Sequence, residues 1–297
     1  MKRRMKTDNI RTSYSPHGIK STIRNKNRPG EYYSMFVLDL CSFISLTTPD
    51  HYNDLFCISD KHLFQLLTFE SPTFIDYGFM QLLRDIVDAM LTQGKAYVET
   101  IPTETGDSRL KGISFRLIKY NHAMRVGDKI YFWKEKKQKS SRPFWTFQKR
   151  TIVFNLHDLG FRHRYFIKLF RKIQKLRLPL DLMQYKSFDL EKYQSLFDRK
   201  ILELNCRTFW NGRHIPNQYM SEPYFLYRTM MFKELQWKLL NYLIEQFNES
   251  FGDIGDGEKI HGKIVIQAKK PDYNLYIRQL QNGELNCEQI SHVLYHS

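Results

Sequence analysis

The chain has 297 residues, 42% hydrophobic and 15% aromatic, enough to bury a core as one large domain or two small ones. Lys and Arg number 46 against 31 Asp and Glu, a formal net charge of +15, so polyanions are the expected partners and nucleic acid the first among them. No stretch approaches the ~20 apolar residues of a spanning helix, and no apolar run follows the basic start Met1-Lys2-Arg3-Arg4-Met5-Lys6, so neither a membrane partner nor a signal peptide is expected.

Residues 1–31 read as a basic, disordered tail, with Lys2, Arg3, Arg4, Lys6, Arg11, Lys20, Arg24, Lys26 and Arg28 opposed only by Asp8 and Glu31. Residues 32–160 read as an α+β domain. Apolar content rises through Met35-Phe36-Val37-Leu38 and Leu63-Phe64-Gln65-Leu66-Leu67. Phe79, Leu82, Leu83, Ile86, Val87, Met90 and Leu91 then recur at three- and four-residue intervals, which predicts a helix over 79–93 with Gly94 as its left-handed terminator.

At Gly94 the apolar period changes from 3.6 to two. Strands are predicted at Ala96–Ile101, Ile113–Ile118, around a Gly127-Asp128 turn, and at Thr151–Leu156. The connections are too short for crossover helices, so one antiparallel meander packed on the 79–93 helix is expected.

Residues 161–297 read as mainly helical, completing an α+β fold with a mostly helical C-terminal half. An amphipathic helix spans 161–177. A second starts near Asp189 and carries Leu190, Tyr193, Phe197, Ile201 and Leu204. A third, long helix has Pro223 in its first turn and stops before Gly252. A short β segment is expected near 263–267, and Asn286 with Gln289 forms a capping-box pattern.

The sharpest chemical feature is basic. Lys134, Lys136, Lys137, Lys139 and Arg142 crowd one loop. On the 161–177 helix, Arg164, Lys168, Arg171, Lys172 and Lys175 share one side, opposite Phe161, Tyr165, Phe166, Leu169, Phe170 and Ile173. An apolar side docked on the core turns the five cations outward, where they suit a phosphate backbone bound by counterion release. The alternative is a merely solvated face; the neighbouring loop cations favour binding.

Enzymatic signals are sparse. His157-Asp158 and His163 match no established metal-hydrolase spacing, and a metal-assisted nuclease there is a minor reading. The chain has no GxxxxGK[ST], GxSxG or HExxH sequence. Cys41, Cys57, Cys206 and Cys287 form no CxxC pair, and Gly252-Asp253-Ile254-Gly255-Asp256-Gly257 lacks the ligand pattern of a calcium loop. No catalytic residue, cofactor or metal is expected.

Residues 79–157 resemble tailed-bacteriophage portal proteins, in which a helix runs into a segment of the form L-x-x-G-x-A-Y-[VL]-E and then a β-meander. Here the segment is Leu91-Thr92-Gln93-Gly94-Lys95-Ala96-Tyr97-Val98-Glu99, followed by a Gly106-Asp107 turn and Phe115-Arg116-Leu117-Ile118. His122-Ala123-Met124-Arg125-Val126 precedes the next strand, and Thr151-Ile152-Val153-Phe154-Asn155-Leu156-His157 occupies the place of the strand before the family's helical region. The Tyr-Gly-x-Ser-Pro turn common in portals has no counterpart after Asp158.

The resemblance implies a non-catalytic structural protein forming a ring through which double-stranded DNA enters and leaves a capsid. It implies no cofactor, and as partners duplex DNA, further copies of the chain, and capsid and packaging proteins, in a virion or a host cytoplasm. The alternative is a stand-alone basic protein binding DNA or other nucleic acid through the tail and the Lys134–Lys175 surface.

Overall fold

The structure, a computed structural model, describes residues 30–43, 55–104, 110–118, 122–133, 144–176, 190–210, 221–252, 260 and 262–296. In chain order the elements are α1 (Glu31–Leu40), β1 (Phe56–Ile58), α2 (Lys61–Thr68), α3 (Phe79–Gln93), β2 (Lys95–Glu104), β3 (Leu110–Leu117), β4 (His122–Val126) and β5 (Lys129–Trp133). They continue as β6 (Phe144–Phe147), β7 (Thr151–Asn155), α4 (His163–Leu176), α5 (Leu190–Thr208), α6 (Glu222–Phe251), β8 (Ile264–Ile266), α7 (Tyr273–Gln281) and α8 (Cys287–His296). The fold is α+β, with antiparallel sheets in the first half and helices dominating the second. Among the described residues no helix is long and apolar enough to cross a membrane.

Local chemistry sets the helix ends. The Asp60 carboxylate accepts from the Leu63 N–H at 2.9 Å and starts α2; Asp272 does the same for α7 through Leu275 at 3.1 Å. The expected box at α8 is present, with the Gln289 N–H donating to Asn286 Oδ1 at 2.8 Å and the Asn286 N–H to Gln289 Oε1 at 2.9 Å. Gly94 ends α3 at φ 86° while its N–H reaches the Met90 carbonyl at 2.8 Å. Pro223 lies in the first turn of α6. Asp189, expected to start α5, lies outside the described residues, as do residues 1–29 of the expected tail; Glu31 already belongs to α1.

The strands between 95 and 155 do not form the single sheet expected. They divide into two three-stranded antiparallel sheets, ordered β3-β2-β7 and β4-β5-β6. Central strand β2 has two edges. The hairpin partner β3 takes one, and β7 takes the other from Lys95↔Asn155 to Glu99↔Thr151, leaving no edge for β4. The pairing of β7 is secured at its end, where the Leu156 N–H donates to the Gly94 carbonyl at 3.0 Å.

The second sheet is a meander closed by the expected Gly127-Asp128 turn. Its strand β6 falls in a stretch read as charged loop, because four residues after a basic run carry too little periodicity to register. The expected β8 finds an unforeseen partner, β1, paired from Phe56↔Ile266 to Ile58↔Ile264. On the other side of β8 the Asn248 side chain stands in for a strand, donating to the Ile264 carbonyl at 2.9 Å and accepting its N–H at 2.8 Å.

One buried cluster draws on both halves of the chain. At its centre Phe247 of α6 meets Phe79 of α3 at 5.1 Å, Phe115 of β3 at 5.1 Å and Phe154 of β7 at 5.4 Å between ring centroids. Phe247 thereby ties the long helix to the first sheet and to α3. Phe247→Ala is expected to destabilise the chain by about 3–5 kcal/mol in urea unfolding, and Phe247→Leu by clearly less.

Candidate functional site

The basic helix α4 is held from two sides. Phe166, Leu169, Phe170 and Ile173 are buried, and the Phe36 ring of α1 lies 6.0 Å from Phe166 and 5.3 Å from Phe170. Tyr33 meets Phe170 edge-on at 5.3 Å, and its hydroxyl donates to Asp88 Oδ1 at 2.8 Å, so α1 links α4 to α3. From the other side, α5 supplies Glu203, which accepts from the Tyr165 hydroxyl at 2.9 Å, and Arg207, whose guanidinium lies 3.9 Å over the Tyr165 ring.

With that side buried, Arg164, Lys168, Arg171 and Lys172 project into solvent as expected. They line a cleft of about 550 Å³ running beside Thr92 at the end of α3, with Ile167 between them. Among the described residues Arg164, Lys168 and Arg171 carry no ion pair. On α5 the Lys200 ammonium, through a hydrogen bond of 2.7 Å, holds the Glu203 carboxyl below its usual range, with smaller help from the Tyr165 hydroxyl and the Lys172 charge. Lys175 lies on α4, but its side chain is outside the described residues, and so are Lys134, Lys136, Lys137, Lys139 and Arg142.

A second cleft of about 550 Å³ opens on the far side of His163 and Arg164, lined by Lys95, Tyr97, Asn155, His157, Phe161 and Arg162 among others. The two clefts share His163 and Arg164, so one cationic surface continues around the N-terminal end of α4. The partial positive charge of that helix end adds to the field of Arg162 and Arg164. Lys95 belongs to no basic run, since it stands isolated in a strand, and Tyr97 stands out in the sequence only as part of the Leu91–Glu99 segment.

His157 and His163 line the same cleft, whereas Asp158 is engaged elsewhere. Its carboxylate accepts from the Tyr242 hydroxyl at 3.0 Å and from Asn155 Nδ2 at 3.2 Å. Burial pushes the Tyr242 hydroxyl up to about 12, so it remains a donor. Among the described residues no group of three His, Cys, Asp or Glu side chains is placed to hold a metal ion.

The His163 ring is built into the fold. A Cβ on Gly94 would lie 2.6 Å from His163 Nδ1, so the glycine supplies both a left-handed turn and room for the imidazole. Partial burial, and then the Arg164 guanidinium, hold His163 below its ordinary value of 6.5. No protein-family model matches the chain, and no curated protein is significantly similar to it.

Two outcomes follow from the closeness of Gly94 and His163. Gly94→Ala is expected to cost more than about 1 kcal/mol in thermal unfolding, and part of that cost should vanish in a His163→Ala background, where the ring no longer opposes the new Cβ. Because the folded chain disfavours the His163 proton, the unfolded chain binds more protons as pH falls through 6.5. The His163 contribution to stability is therefore intact above 6.5 and diminishes below it, until the lowered folded pKa is passed. His163→Gln should flatten stability measured between pH 7 and pH 5.

Proposed function

We propose that this chain is a structural, non-catalytic protein of the portal kind, in which the basic side of α4 meets the phosphate backbone of duplex DNA. The observation that carries the reading is the alignment of Arg164, Lys168 and Arg171, exposed and without ion pairs among the described residues, along one cleft. Cations so placed neutralise successive phosphates and release condensed counterions, holding a duplex of any sequence. Such indifference to sequence suits a channel through which a whole genome passes.

The order of elements supports the portal part of the proposal. Helix α3 runs through Gly94 into β2, the segment Ala96-Tyr97-Val98-Glu99 lies in that strand, and β7 precedes the basic helix. On this reading copies of the chain assemble as a ring, capsid and packaging proteins are its neighbours, and its place is the virion or the host cytoplasm. The chain itself needs no cofactor, because the work of packaging belongs to a separate ATPase.

A stand-alone nucleic-acid-binding protein is the second reading. It is supported by the same cationic clefts, since phosphate contacts by Arg162, Arg164 and Lys168 need no ring of subunits. Mass measurement of the purified protein separates the two: a large closed ring supports the portal reading, a monomer or dimer the other.

Both readings predict duplex binding that weakens steeply with salt. Replacing Lys168 and Lys172 by Gln should reduce the log–log salt slope by about 0.9 for each phosphate no longer neutralised, equally for all sequences. The stability of that variant should change by no more than ~0.5 kcal/mol. An unchanged salt slope with unchanged assembly would show that α4 is merely solvated.

A further inference from the structure

The β4-β5-β6 sheet has one buried face and one open face. Ile130, Phe132 and Thr146 are 6%, 1% and 3% exposed on the inner side, where Phe132 meets Tyr97 of the first sheet at 5.2 Å. Alternation turns Met124, Val126, Lys129, Tyr131, Trp145 and Phe147 to the opposite side. There Met124, Val126, Trp145 and Phe147 remain 54%, 51%, 43% and 39% exposed.

The register arranges these side chains in two rows across the strands. Met124 pairs with Tyr131 and Tyr131 with Trp145; Val126 pairs with Lys129 and Lys129 with Phe147. The Lys129 ammonium stands 4.3 Å from the Trp145 ring centre and 5.7 Å from that of Phe147. Lys149 and Arg150 follow Phe147 in the next turn.

We propose that this open sheet face is a stacking platform for single-stranded nucleic acid, distinct from the duplex-binding surface of α4. Trp145 and Phe147, two residues apart on β6, stand edge to face with ring centroids 5.2 Å apart, and a ring exposed on the sheet gives an unpaired base a surface to stack on; every base has such a face, so sequence matters little. Lys129 lies within reach of a phosphate beside the ring it covers. Charge favours a single strand as the occupant: Lys129 on the face and Lys149 and Arg150 in the turn after β6 complement phosphates, which a second copy of this chain does not bring.

The test uses the full chain and a fluorescein-labelled oligo-deoxythymidine of about twelve nucleotides, within the ~4–16 nucleotide range of comparable single-strand sites. Trp145→Leu should weaken binding at least about tenfold while leaving the salt slope unchanged, because stacking disappears while the same phosphates stay neutralised. Trp145→Phe should retain affinity to within about threefold, since a ring remains. Lys129→Gln should lower the salt slope. Unaltered thermal unfolding of each variant excludes a folding defect.

The idea is overturned by an oligonucleotide that does not bind the wild-type chain, or that binds Trp145→Leu as tightly as wild type. It is also overturned if Trp145→Leu leaves oligonucleotide affinity intact and reduces assembly size, which would make the face a contact between copies. Each outcome is independent of duplex binding by the Lys168 and Lys172 variant, so failure of one proposal leaves the other standing.

Discussion

The seating of α4 on Phe36 is the contact from which the rest of the cationic surface follows. Four apolar side chains of α4 are buried, each contributing about 1.5–3 kcal/mol. The like-charge neighbours on its other side, such as Arg164 with Lys168 and Lys168 with Lys172, oppose the helix by only about 0.2–0.5 kcal/mol per pair. Burial wins by a wide margin, so the cations accept their mutual repulsion. Their direction is set by the aromatic cluster behind them, where Phe36 also meets Trp210 at 5.3 Å. The same cluster ties α4 to α1 and, through Tyr33 and Asp88, to α3.

Gly94 joins this helical seat to the sheets. Its left-handed conformation ends α3, its carbonyl accepts from Leu156 to align β7, and its bare Cα leaves room for His163 at the head of α4. One residue thus sets the angle between helix and sheet and the position of the ring shared by both clefts. The basic surface is consequently part of the framework of the fold, unlike a charged loop laid over it.

The two small sheets divide their tasks. The β3-β2-β7 sheet is packed by α3 and α6 through the Phe79, Phe115, Phe154 and Phe247 rings and serves stability. The β4-β5-β6 sheet leans on the first through Tyr97 and Phe132 and leaves its outer rings to solvent. Met124, Val126, Trp145 and Phe147 make that outer face a contiguous apolar patch, in contrast to the singly scattered exposed side chains of an ordinary surface.

Features whose cause lies within a few residues were legible in the sequence. The 3.6-residue spacing of Phe79 to Leu91, the two-sided character of α4, the terminator at Gly94 and the reciprocal Asn286–Gln289 cap all depend on neighbours in the chain. Features that require residues distant in sequence to meet were not. Nothing near Phe56 announces that it pairs with Ile266, and nothing near Gly94 announces the His163 ring. The period of β2 shows which residues face the core, but not which strand takes its second edge. The amphipathic pattern assigned the cations of α4 to one side, whereas the cleft beside Thr92 and its continuation past Lys95 and Tyr97 exist only because α1, α3 and β2 pack where they do. Periodicity records which side of an element avoids water; the shape of the space between elements is decided by how their buried sides fit together.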